Sequence, residues 1–186
     1  MKQMFAEATV FNQNINNWDT SNVKDLAGVF FDAFDFDQSL SNWKTDQVTD
    51  LSSAFAFALS FNGNISTWNT SRVETMFGML RGASAFNQPL GDLDVSRVVS
   101  IDFMFTGARV FNQDISSWRP ERVSSMRSCF QNCLTFSQDL CDWGSILSAD
   151  TVTSSAFMST ACPSQSDPII FAENDTDISG PFCNEC

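Results

Sequence analysis

The residues able to do chemistry are few and unevenly placed. All six cysteines fall in the last third of the 186-residue chain, at Cys129, Cys133, Cys141, Cys162, Cys183 and Cys186. There is no histidine, which removes the commonest general base and the commonest metal ligand together. Serine and cysteine hydrolases of the usual histidine-dependent kind are thereby excluded. Close carboxylate pairs occur at Asp35 and Asp37, Asp92 and Asp94, and Asp175 and Asp177. A glycosidase needs two carboxylates facing a substrate cleft; these pairs sit in expected turns or on an exposed edge and read as solvated acids. No EF-hand spacing, phosphate loop or dinucleotide glycine fingerprint is present. The expectation is no catalysis, no cofactor and no dedicated metal site, with weak calcium binding by surface aspartates left open.

An even count of cysteines confined to one end suits three disulfides in a terminal cap too small for its own core. The alternative is zinc: Cys183-x-x-Cys186 is half of a four-cysteine motif, although Cys129 and Cys133 lack the matching tight spacing. Cys133 also stands in a column of alanines, where a small buried residue is all that packing asks for. Three Asn-x-Ser/Thr triplets, at Asn64, Asn69 and Asn174, are glycosylation acceptors if the chain is secreted.

The elements that must position these groups follow from one repeat. Phe11-Asn12-Gln13 returns as Phe36-Asp37-Gln38, Phe61-Asn62-Gly63, Phe86-Asn87-Gln88, Phe111-Asn112-Gln113 and Phe136-Ser137-Gln138, with an interval that never slips. Aliphatic residues (Ile15, Leu40, Ile65, Leu90, Ile115, Leu140) and then Trp18, Trp43, Trp68, Leu93, Trp118 and Trp143 keep the same register. So do Val23, Val48, Val73, Val98 and Val123, the column of Phe5, Phe30, Phe55, Leu80, Phe105 and Phe130, and the alanines that end at Cys133. A unit this small cannot bury its own apolar face, so units must stack and turn their columns into core ladders. The Ile/Leu, Trp, Thr and Val spacing is that of a leucine-rich-repeat strand segment, which predicts a short strand around each Trp. Apolar steps of three and four over residues 23–33 predict a short helix or helical turn returning the chain. The expected fold is thus α/β, a right-handed solenoid of about six units over residues 1–143. A degenerate repeat and cysteine-rich cap would occupy 144–186, with Val152, Phe157 and Ala161 echoing the columns.

This pattern resembles the BspA-like (bacterial surface antigen) leucine-rich repeat family, whose repeat is known from mycoplasma surface proteins. The resemblance is carried by the segment Phe111-Asn112-Gln113-Asp114-Ile115-Ser116-Ser117-Trp118, by Trp18-Asp19-Thr20-Ser21-Asn22-Val23, and by Met104-Phe105 ahead of Ala108. It covers about residues 4–143 and breaks after Trp143. It implies a curved solenoid, a secreted or cell-surface location and roles in adhesion and partner binding, and it transfers no catalytic residue.

Binding would fall on the outward positions flanking the Trp column. These are Asn17 and Asp19, Asn42 and Lys44, Thr67 and Asn69, Asp92 and Asp94, and Ser117 and Arg119, a ribbon of polar side chains suited to a protein or glycan ligand. A net charge of −12 argues against nucleic acid and anionic membrane surfaces. No apolar run reaches the length of a membrane span, and Met1 to Ala8 lack a signal-peptide core. Met4-Phe5-Ala6-Glu7-Ala8 instead matches the middle of a repeat, so the sequence reads as starting inside a unit, with an uncapped first rung open to end-to-end self-association. The rival expectation is a structural spacer with no discrete ligand.

Overall fold

Each 25-residue unit makes one coil, and each coil lays its side chains over those of the coil before it. The computed structural model describes residues 1–170 and 180–184. Single parallel bridges link Asp25, Asp50, Thr75, Ser100 and Ser125 in turn. A further bridge joins Ser125 to Val152, across a repeat that is two positions longer than the others. The fold is a repeat stack with almost no regular secondary structure. Among the described residues, one five-residue 3-10 helix, Cys141–Ser145, is the sole helix.

The helix expected over residues 23–33 is replaced by a train of tight turns. Leu26, Gly28, Phe30 and Asp32 donate their N–H groups forward to the carbonyls of Asp50, Ser52, Ala54 and Ala56 at 2.8–3.1 Å. The intervening Val29, Phe31 and Ala33 donate backward to Leu26, Gly28 and Phe30 at 3.1–3.2 Å. Positive φ recurs every fourth residue, at Gly28 (60°) and Asp32 (55°) and again at Ser53 (54°) and Phe57 (59°). That is the third position of a type II turn, and it is incompatible with continuing an α-helix. The apolar steps of three and four report which residues face inward; a run of turns satisfies them as well as a helix does.

The strand expected around each Trp is also absent among the described residues. Trp43 and Trp68 donate their backbone N–H groups to the carbonyls three residues back, Leu40 and Ile65, closing turns. Here the coils are joined by a side chain. The Thr20 hydroxyl donates to the Lys44 carbonyl at 3.1 Å and accepts the Lys44 N–H at 2.7 Å. Thr45 and Thr70 repeat the donation to Asn69 and Asp94 at 3.0 and 2.9 Å. All three threonines are buried, and these bonds are what their burial requires.

The Phe-Asn-Gln motif is explained the same way. The Asn62 side-chain oxygen accepts the Asn87 N–H and the Gln88 side-chain amide; Asn87 does the same for Asn112 and Gln113. The ladder is structural. Where glutamine becomes Gly63, a Cβ would lie 2.1 Å from the Gln38 carbonyl oxygen, so the coils approach too closely there for any side chain.

Aromatic columns fill the interior. Phe30 stacks on Phe36 in its own coil at 3.9 Å and on Phe55 in the next at 5.5 Å. Trp43 lies parallel to Trp68 at 6.3 Å, and Trp118 to Trp143 at 6.1 Å. Trp43, Trp68, Trp118 and Trp143 are buried; Trp18, in the first coil, is 44% exposed. Past Trp143 the expected echo holds for Phe157 alone, which stacks on Phe130 at 5.4 Å. Val152 occupies the bridge column and Ala161 is exposed, because the longer repeat shifts the register.

Candidate functional site

All ten ribbon residues, Asn17 and Asp19 through Ser117 and Arg119, are exposed, in two columns crossing five coils. They share an edge because each pair flanks a member of the Trp column and the coils stack in register. Several also close the turn they stand in. Asp19, Asn69 and Asp94 each accept the N–H two residues on, from Ser21, Ser71 and Ser96, at 2.9–3.1 Å. The Ser21 hydroxyl, then its backbone N–H, hold the Asp19 carboxyl below the usual carboxylate range. Ser96 does the same for Asp94, and Ser116 for Asp114. Thr67 and Ser117 donate to the carbonyls of Ser41 and Gly91 in the preceding coil. Lys44, Asp92 and Arg119 carry no such turn-closing role and supply the ribbon's free charge.

The carboxylate pairs do not assemble into a reactive site. Asp35, Asp37, Asp92 and Asp94 are all exposed, and Asp37 accepts the Asn62 N–H at 2.8 Å. Asp175 and Asp177 lie outside the described residues. Among the described residues, no three cysteines or carboxylates gather into a group able to hold a metal ion.

The cysteines divide. Cys162 and Cys183 form a disulfide, and Cys141 is also disulfide-bonded; Cys186 lies outside the described residues. Cys129 and Cys133 are free, which corrects the expectation of three bridges using all six. Both stand in core columns, fully buried, and Cys133 points its thiol at the carbonyls of Phe105 and Ala108, each at 3.1 Å. Burial pushes both thiols well up, away from the thiolate. With Cys183 bonded to Cys162, the Cys183-x-x-Cys186 half of a zinc motif is not a free thiol pair. Of the sequons, Asn69 is exposed, Asn64 is half-buried and holds Ser66 through its side-chain oxygen, and Asn174 lies outside the described residues.

Sequence reasoning missed a cleft of about 680 Å³ on a different edge. It is lined by Gly82 and Gly107, which occupy the positive-φ column that carries Phe57 before them and Asn132 after. Arg81 and Arg109 line it, with Leu59 and Leu134. The Arg81 guanidinium lies 5.3 Å from the Phe57 ring centroid and 5.4 Å from that of Phe103. The signal in the sequence was two glycines in consecutive repeats, in a column whose neighbouring members carry side chains.

This stack of aromatic coils, with a disulfide at its C-terminal end, defines a repeat protein with exposed polar edges and an apolar interior. The family described as "Mycoplasma protein of unknown function, DUF285" matches residues 1–88 and again 50–168, and the chain belongs to it. The two matches overlap because the repeats are interchangeable in register. No curated protein and no solved structure matches the chain.

Proposed function

We propose that this protein is a non-catalytic recognition or adhesion module, acting outside the cell or on its surface, which binds a protein or glycan along the Asn17-to-Arg119 ribbon. In this reading the coils form a leucine-rich-repeat-like solenoid of the BspA-like kind. The observation that carries it is a contrast between columns: core columns repeat almost unchanged, while the exposed columns beside them vary from Asn to Lys, Asp, Ser and Arg. Stacked repeats present such edges as extended surfaces that read a partner by side-chain variety. The Cys162–Cys183 bridge fits an oxidising compartment. A glycan on Asn69 would stand on the ribbon and block it there.

The test is an array of glycans and surface proteins probed with the purified chain and with a Lys44→Ala/Asp92→Ala/Arg119→Ala variant. These three side chains close no turn, so the variant should melt like the parent. Loss of an array ligand by about tenfold or more is expected; equal binding by the variant rejects the ribbon. The alternative is a structural spacer without a discrete ligand, its copies meeting end to end. Concentration-dependent mass in solution without any array ligand is its outcome.

A further inference from the structure

We propose that the cleft over Gly82 and Gly107 binds an extended acidic peptide with apolar side chains, independently of the ribbon. Charge is the first argument. The chain carries 22 Asp and Glu against 10 Lys and Arg, yet no carboxylate lines this cleft and both of its charged residues, Arg81 and Arg109, are cationic. Among the described residues, the sole ion pair is Lys2 with Asp25, so neither arginine is neutralised by a contacting carboxylate. The two acids in the positive-φ column of Gly82 and Gly107, Glu7 and Asp32, belong to the first two coils, before the cleft begins.

Shape is the second argument. At Gly107 the backbone is open where Phe57 and Asn132 carry a side chain, and a Cβ there would touch only the Gly82 backbone, at 3.7 Å. At Gly82 the Phe57 ring leans over the backbone, 2.6 Å from where a Cβ would stand, so glycine lets that ring pack down as one wall of the cleft. Four coils line the cleft, through Phe57, Gly82, Gly107 and Asn132. At about 4.8 Å per coil that is roughly 14 Å, the length of about four extended residues. Phe57 and Phe103 hold the Arg81 guanidinium from two sides, which orients its donors before any ligand arrives.

The walls decide between peptide and sugar. Leu59 and Leu134 are 43% and 54% exposed and offer apolar surface to a side chain. A sugar ring would need an open aromatic face, and Arg81 lies against the rings of Phe57 and Phe103. The Ser84 and Thr106 hydroxyls donate to the carbonyls of Leu59 and Ser128 and keep lone pairs for a peptide N–H, and Asn132 adds a side-chain amide.

The experiment titrates the full chain with three fluorescein-labelled probes: a peptide alternating glutamate and leucine, its lysine–leucine counterpart, and an oligogalacturonate of equal charge. Saturable binding of the glutamate–leucine peptide alone is expected. Arg81→Ala/Arg109→Ala should weaken it by about tenfold or more. Gly107→Asn should do the same without altering charge; it keeps a positive-φ-tolerant residue, as Asn132 already is in this column. The Lys44/Asp92/Arg119 alanine variant should leave the affinity unchanged. No saturation by about 1 mM, equal binding of the lysine peptide, tighter binding of the oligogalacturonate, or indifference to Gly107→Asn would each overturn the proposal. So would loss of binding in the ribbon variant, which would move the peptide to the other edge.

Discussion

At the scale of single residues, position in a ladder decides what a side chain contributes. The indole N–H groups of Trp43, Trp68 and Trp118 donate to the carbonyls of Ile15, Leu40 and Leu90 at 2.9–3.1 Å, each in the coil before. Trp143 stacks in the same column, but its buried indole N–H has no partner. The 3-10 helix Cys141–Ser145 stands at this place in the coil, where earlier coils run through turns. An orphaned buried donor costs about 1–3 kcal/mol. Trp68→Phe should therefore destabilise the protein by about 1–3 kcal/mol more than Trp143→Phe, since one change breaks a hydrogen bond and the other removes an unpaired donor. Denaturant melts of the two variants measure the difference, and equal losses would refute it.

At the scale of one coil, partners change together. Each coil sets a Phe against the Trp thirteen positions on: Phe30 with Trp43 at 6.0 Å, Phe55 with Trp68 at 5.8 Å, Phe105 with Trp118 at 6.3 Å. One coil lacks the pair, and there both members are leucine, Leu80 and Leu93, both buried. A tilted aromatic pair fills one shared volume, so a single replacement leaves a ring without its neighbour or crowds a leucine. Leu80→Phe and Leu93→Trp should each destabilise by about 1–3 kcal/mol through overpacking. The double variant should recover about 0.5–1.5 kcal/mol of coupling as the pair re-forms. A double-mutant cycle with no favourable coupling would show that the two positions are independent.

At the scale of the whole molecule, stability rests on a continuous apolar interior tied by backbone and side-chain bonds between coils. Acid should loosen the outer turns. Asp19, Asp94 and Asp114 sit below their ordinary values because serine donors favour the charged form. A depressed folded value means their contribution is present above the unfolded value near pH 4 and is lost as pH falls through the folded one. Asp32 works the other way: burial, then the Glu7 charge, raise it, so its ionisation costs stability. Replacing Asp19, Asp94 and Asp114 by Asn keeps an acceptor for each serine, as Asn69 shows with Ser71. The stability gap between parent and triple variant should shrink as pH drops from about 6 to below about 4; a gap that does not change with pH would remove the carboxylates from this role.

The periodicity alone determined the stacking, the identity of the core columns and the exposed ribbon, because a fixed repeat length forces equivalent side chains into equivalent places. It also carried the structural reading of the Asn and Gln column, whereas Cys133, expected in a disulfide, proved to be the small buried residue its alanine column allows. Backbone conformation was not legible in it. Inward-facing steps of three and four are shared by a helix and by a train of type II turns, and only the alternation of forward and backward hydrogen bonds over residues 26–33 separates the two. Cysteine count likewise says nothing of distance, and the stack places Cys129 and Cys133 in core columns with their thiols free. Two glycines in consecutive repeats, Gly82 and Gly107, were a visible signal, but only the stacking of adjacent coils brings them side by side and sets Arg81, Arg109, Leu59 and Leu134 around one cleft.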